Sequence, residues 1–229
     1  EYTALYEGME FIDDVTGLEL DKSTAVKARQ TEMNYFKERG VYTKEARRAD
    51  MKVISTRWLD VNKGDDDNPN ARCRIVAKDF NVDKRPDLFA ATPPLEYLRY
   101  LVSRCASSQL GTRKTKLMVQ DVKKAYFYAP ATRDVYVELP PERAQPGMCA
   151  KLHKSLYGTR DAALKWAQAY SDVLIGMGFV KGLSSPCTFF HKAWDIRTVV
   201  HGDDFLSEGT GENLEAMDRE LRKSFALKT

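Results

Sequence analysis

Three aspartates carry the most pointed chemistry in this sequence. Asp121 ends the apolar run KLMVQD (116–121), and Asp203 and Asp204 follow Gly202 inside RTVVHGDDFLS (197–207). Strand, Gly-Asp-Asp, strand predicts a tight hairpin with two carboxylates at its tip. If that hairpin lies beside the strand ending in Asp121, three hard oxygen donors converge, a set that suits Mg²⁺. Two such ions, ~3.5–4 Å apart, can stabilise the attacking and leaving oxygens of an in-line phosphoryl displacement. A Gly-Asp turn alone is common, and Asp121 alone reads equally well as a cap. The specificity lies in the combination, with an aromatic, Tyr126, five residues after Asp121. A nuclease or phosphatase built on the same carboxylates needs a fourth acidic or His ligand, and none lies near these motifs in sequence.

The elements that must hold these residues can be read from periodicity and turn chemistry. A helix is predicted from Ser23 to Arg39, with Ser23 as N-cap, Gly40 as stop, and Val26, Met33 and Phe36 on one face. Strands over 51–61 and 71–80, joined by the turn-rich KGDDDNPN (63–70), form a hairpin, and 81–94 is loop. A helix from Tyr97 to Ser108 turns Leu98, Leu101, Val102 and Cys105 inward. The strand to Asp121 feeds a turn or short helix, and 134–139 alternates as another strand. A helix from Asp161 to Met177 carries a stripe of Trp166, Tyr170, Val173 and Met177. Strands around Phe189-Phe190 and over 198–207 precede a last helix from Gly211 to Phe225 with Leu214, Met217 and Leu221 inward. Antiparallel hairpins with helices to one side make an α+β fold.

Composition narrows the classes. With 43% hydrophobic and 30% charged residues, 229 residues can bury a core. No apolar run approaches the roughly 20 residues that span a bilayer, and the first residues lack the basic start and apolar stretch of a signal peptide. Cys73, Cys105, Cys149 and Cys187 are too scattered for a zinc set, so free thiols and an intracellular setting are expected. Charge is segregated: residues 1–21 hold seven acids and no base, 22–124 hold 23 Lys and Arg against 13 acids, and 125–229 hold 13 of each. A basic stretch of this kind is the footprint of a phosphate-backbone binder.

Motif order adds a resemblance. From about Ala25 onward, the chain resembles the reverse-transcriptase domain of copia-type (Pseudoviridae-like) retrotransposon polyproteins. RCRIVAKDF (72–80) is similar to that family's KARLVAKGF-like strand, and LFAATPP (88–94) to its ETFAP-like segment. DVKKAYFYA (121–129) resembles DVKTAFLNG, and VYVELPPE (135–142) the strand that follows it. KSLYGTRDAALKW (154–166) resembles KSLYGLKQAPRAW, HGDD (201–204) the YVDD hairpin, and FALKT (225–229) the FEMKDLG-like tail. His201-Gly202 replaces Tyr-Val, Asp161 replaces a Gln and Asp79 a Gly; all three carboxylates remain.

The resemblance implies RNA-directed DNA polymerase chemistry, with dNTPs added to a primer 3′-OH. Asp121, Asp203 and Asp204 would be the catalytic residues holding two Mg²⁺ ions, with Mn²⁺ as a substitute. Tyr126 would be the steric gate against a 2′-OH. Arg74 and Lys78, on one face of a strand, would lie over the triphosphate. Tyr157, Gly158 and Arg160 would support the nucleotide, and His201 and Gly202 would meet the primer. The implied architecture is a right hand truncated before its thumb: an acidic leader (1–22), fingers (23–115) and a partial palm (116–229), with 134–157 returning to the fingers. Implied partners are an RNA or DNA template–primer and the rest of a Pol polyprotein (thumb, RNase H, integrase), in a cytoplasmic virus-like particle or the nucleus, with weak or no activity in this piece by itself. The alternative is a catalytically dead, transposon-derived nucleic-acid-binding domain.

Overall fold

The computed structural model describes residues 5–65, 68–80, 86–88 and 90–229. Residues 81–85 and Phe89 of the expected 81–94 loop, with Asp66 and Asp67 of the 63–70 turn, lie outside the described residues. Helices and sheets are mixed in an α+β arrangement, and the chain divides into two compact units. Unit 1 comprises Glu1–Lys84 and Pro130–Ala162, and unit 2 comprises Arg85–Ala129 and Ala163–Thr229. Residues 85–115 fall in unit 2 with the strand that follows them.

In unit 1, α1 (Lys22–Glu38) begins one residue earlier than expected because Asp21, not Ser23, is its N-cap. The Asp21 carboxylate accepts the Thr24 N–H at 2.8 Å and the Thr24 and Ser23 hydroxyls, which pull its pKa down to about 2. Gly40, at φ +57°, stops the helix. The expected 51–61 strand is broken at Ser55 into β2 (Val53–Ile54) and β3 (Thr56–Asn62). β3 pairs with β4 (Ala71–Ala77) in the hairpin foreseen from sequence. Cys73, Ile75 and Ala77 are buried, so Arg74 and Val76 occupy the opposite face. β1 (Tyr42–Ala46), β6 (Tyr136–Val137) and β7 (Met148–Leu152) join β2 in the order β1-β7-β6-β2. The strand expected over 134–139 thus shrinks to two residues.

The acidic leader is fastened down. Tyr6, Phe11, Leu20 and Ala25 form a small core. The Arg29 guanidinium stands 4.6 Å from the Phe11 ring centroid and 4.9 Å from that of Trp58. It pairs with Asp60 at 2.5 Å and Glu142 at 3.6 Å.

Unit 2 is built on an antiparallel sheet ordered β12-β5-β11-β10-β9-β8: β5 (Lys116–Val122), β8 (Val180–Lys181), β9 (Thr188–His191), β10 (Ile196–His201), β11 (Asp204–Gly209) and β12 (Leu227–Lys228). Helices α3 (Ala162–Gly176) and α4 (Gly211–Leu221) supply Trp166, Tyr170, Leu174, Leu214, Met217 and Leu221 to a core shared with Val122, Phe205 and Phe225. Leu174 is buried where the expected stripe partners Val173 and Met177 are only half-buried. Phe225 is buried although its helix ends at Leu221. α2 (Leu95–Ser108) lies on the sheet's other face, where Arg104 pairs with the fully buried Glu208 at 3.0 Å. Val102, expected inward, is 51% exposed, and Leu101 alone on that helix is fully buried. The described residues contain no helix long and apolar enough to cross a membrane, and all four cysteines are free.

Candidate functional site

β10 and β11 pair from Arg197↔Glu208 to His201↔Asp204, leaving Gly202 and Asp203 as a two-residue loop. Gly202 has φ +64°, and Asp203 is not among the described positive-φ residues. Glycine at the first central position is what a type II′ hairpin turn requires. β11 then pairs with β5 so that Asp204 is directly opposite Asp121. Cross-strand partners share a face with Cβ atoms roughly 4.5–5.5 Å apart. The lone aspartate and the pair, 82 positions apart along the chain, thus meet at one end of the sheet. The tip is tied down twice: the Val122 N–H donates to the Asp203 carbonyl at 2.9 Å, and the buried Trp166 indole N–H donates to the Gly202 carbonyl at 2.7 Å.

Electrostatics register the same proximity. The Asp204 carboxyl is pushed above its ordinary range, first by burial and then by the negative charges of Asp203 and Asp121, with His201 opposing. Three carboxylates, with no nitrogen or sulfur donor among them, are a ligand set that would suit Mg²⁺. As they stand, no three or more His, Cys, Asp or Glu side chains among the described residues form a ready metal-holding group. Tyr126 lies in a 3₁₀ turn (Ala125–Tyr128) after β5, entered through Lys124 at φ +55°, and packs half-buried on the unit 2 core. His201 is exposed at the end of β10.

The remaining expected residues belong to unit 1. Arg74 lies with its guanidinium carbon 4.8 Å from the Tyr157 ring centroid, and its buried Nε has no hydrogen-bond partner among the described residues. Lys78, one residue past β4, is exposed. The segment 157–160 is clasped against the end of that strand: Ala77 N–H donates to the Tyr157 carbonyl at 2.8 Å, and Arg160 N–H to the Asp79 carboxylate at 3.2 Å. Gly158, at φ +84°, approaches strand backbone so closely that a Cβ would stand 2.1 Å from the Ala77 carbonyl oxygen. The close approach that glycine permits here is to the chain's own strand.

Sequence reasoning missed Arg133. Its guanidinium grips Asp161 at 3.0 and 3.1 Å and Asp79 at 2.9 Å. Asp79 and Asp161 are two of the departures from the motif pattern, and one arginine accounts for both. Nothing local in sequence links 79, 133 and 161. Trp166 was visible as part of a helical stripe and as the end of KSLYGTRDAALKW (154–166), without its bond to the tip.

Residues 40–229 match the family described as reverse transcriptase (RNA-dependent DNA polymerase). The chain belongs to that family. Among curated relatives, it is 27% identical over 220 residues to the retrovirus-related Pol polyprotein from transposon TNT 1-94 of Nicotiana tabacum, covering 91% of this chain and 16% of the relative. It is 27% identical over 169 residues to the corresponding polyprotein of transposon RE1 of Arabidopsis thaliana (71% of this chain, 11% of the relative). The Transposon Ty1-MR1 Gag-Pol polyprotein of Saccharomyces cerevisiae is 28% identical over 102 residues, 43% of this chain and 6% of the relative. This reverse transcriptase domain is of the copia type, and spans less than a fifth of the length of these relatives.

Proposed function

We propose that the chain supplies the nucleotide-adding centre of an RNA-directed DNA polymerase, its two units serving as fingers (unit 1) and palm (unit 2). The carrying observation is the Asp204↔Asp121 register with Asp203 at the adjoining tip. Asp121, Asp203 and Asp204 would hold two Mg²⁺ ions, which when bound would neutralise charge on the attacking and leaving oxygens. The chain itself would contribute position, through a hairpin tip pinned from two sides and a sheet register that sets Asp204 opposite Asp121. Tyr126 would exclude a 2′-OH, and His201 with the Gly202 backbone would meet the primer end. Arg74 and Lys78 would take triphosphate oxygens, with Tyr157, Gly158 and Arg160 supporting the nucleotide. The template–primer duplex and dNTPs would be substrates, and other Pol domains partners.

The test is Mg²⁺-dependent primer extension by the chain and by a longer version carrying further Pol sequence. Grip on a duplex depends on phosphate contacts, so the chain alone is expected to add few nucleotides and the longer version many. Asp203→Asn should abolish synthesis in both while leaving template–primer binding intact. Synthesis that survives Asp203→Asn would overturn the reading, and binding without any synthesis in either version would favour the non-catalytic alternative.

A further inference from the structure

Unit 1 holds a concavity of about 240 Å³ that none of the motifs accounts for, lined by Met33, Phe36, Lys37, Tyr42, Lys44 and Arg143. Its three cations come from three separate elements: the last turn of α1, strand β1, and the 3₁₀ turn Pro141–Arg143. No acid is among its lining residues. Several other bases of unit 1 do have counter-acids: Arg29 pairs with Asp60 and Glu142, Arg57 with Asp14, Arg133 with Asp79 and Asp161, and Lys151 with Asp134. Lys37, Lys44 and Arg143 have no ion-pair partner among the described residues. Like charges gathered in one concavity without counter-charge repel, and the arrangement is relieved by an anion arriving from outside.

The floor fixes the kind of anion. Met33 and Phe36 are buried, and the Tyr42 ring meets Phe36 edge-on at 6.3 Å. An apolar, aromatic base under a cationic rim matches a phosphodiester with its sugar, whereas a bare inorganic ion would use only the rim. We propose that this concavity is an accessory site for the backbone of a single nucleic-acid strand, in a unit separate from the carboxylates of unit 2. The proposal rests on the reading that the chain handles nucleic acid, and it does not require that the chain synthesise any.

The experiment measures binding of a labelled single-stranded oligonucleotide of about 20 nucleotides across a salt series. It compares the chain with Lys37→Glu/Lys44→Glu/Arg143→Glu and with Lys114→Glu/Lys192→Glu/Lys223→Glu, which makes the same charge change at exposed lysines of unit 2. Each single-strand phosphate contact contributes about 0.7 to the slope of log K against log salt, so loss of three should flatten it by about 2 and weaken binding on the order of 10- to 100-fold near 0.1 M salt. The unit 2 variant should keep the slope. Equal losses in the two variants would overturn the site, leaving only general charge attraction. Unchanged oligonucleotide binding with loss of binding to an acidic peptide would overturn it in favour of a protein partner. Should the charge reversal unfold the chain, Lys37→Gln/Lys44→Gln/Arg143→Gln must show the same flattening, and an unaltered slope there refutes the proposal. Asp203→Asn should bind the oligonucleotide like the parent chain, so failure of the catalytic reading is seen separately.

Discussion

Trp166→Phe offers a sharp test of how the hairpin tip is held. The substitution keeps a ring in a site only 2% exposed, among Tyr128, Tyr170, Phe205 and Phe225, and removes the N–H that meets the Gly202 carbonyl. The lost hydrogen bond is worth about 1 kcal/mol, because Gly202 is exposed and water can reach its carbonyl. Shrinking indole to phenyl in a closely packed cluster adds about 1–2 kcal/mol. The sum of about 2–3 kcal/mol should lower the Tm of a unit of about 110 residues by roughly 8–12 °C. Leu174→Ala provides the comparison: it is fully buried in the same core, should destabilise by a similar ~2–5 kcal/mol, and makes no bond to the tip. The discriminating assay is amide hydrogen exchange at Val122, whose N–H is bonded to the Asp203 carbonyl. In Leu174→Ala, Val122 should lose only the protection that global stability loses. In Trp166→Phe it should exchange about tenfold faster still, because the tip opens locally. If Val122 tracks global stability equally in the two variants, Trp166 is core filling and the tip is held by its strands alone.

Other outcomes follow from the same geometry. Arg133→Ala should destabilise unit 1 by about 2–3 kcal/mol by urea titration, below the value for a fully buried pair because Arg133 is 44% exposed while Asp79 and Asp161 are 8% and 9%. Adding Asp79→Gly and Asp161→Gln should restore most of the loss, and failure of that rescue would break the claim that the acids are compensated by this arginine. Gly158→Ala should lower stability by about 3 kcal/mol or more, since φ +84° and the Ala77 backbone both oppose a Cβ. Gly202→Ala, with φ +64° and open space around it, should lose only about 1–2 kcal/mol in thermal melts. Asp204→Asn should raise the metal-free melting temperature near neutral pH. Its carboxyl titrates above the ordinary 3.8 in the folded chain, so the stability it withholds appears as pH rises through that folded value and disappears toward pH 3.8 and below. A melting gain independent of pH would contradict this.

Much of unit 2 was legible because its signals are local. Alternating β-branched runs around Gly202-Asp203 specify a hairpin, and the apolar run before Asp121 specifies its strand. Which strand lies beside which is not local; here motif order stood in for register, and the Asp204↔Asp121 pairing agrees with it. Val102 was misplaced because helical spacing identifies an apolar stripe without saying how wide the neighbour is that covers it. The break at Ser55 escaped because two short strands that join different sheets look continuous in sequence. Anchoring of the acidic leader escaped as well, since composition marks its charge but not the Arg29 cluster that receives its aromatics.

The three-way grip of Arg133 on Asp79 and Asp161 also restricts how this lineage can drift. Either acid can change to a neutral residue first, because the arginine keeps one counter-charge. Loss of the arginine first would strand two nearly enclosed negative charges within one fold. Histories connecting this triplet to a neutral one are thus ordered, with the base arriving early and leaving last.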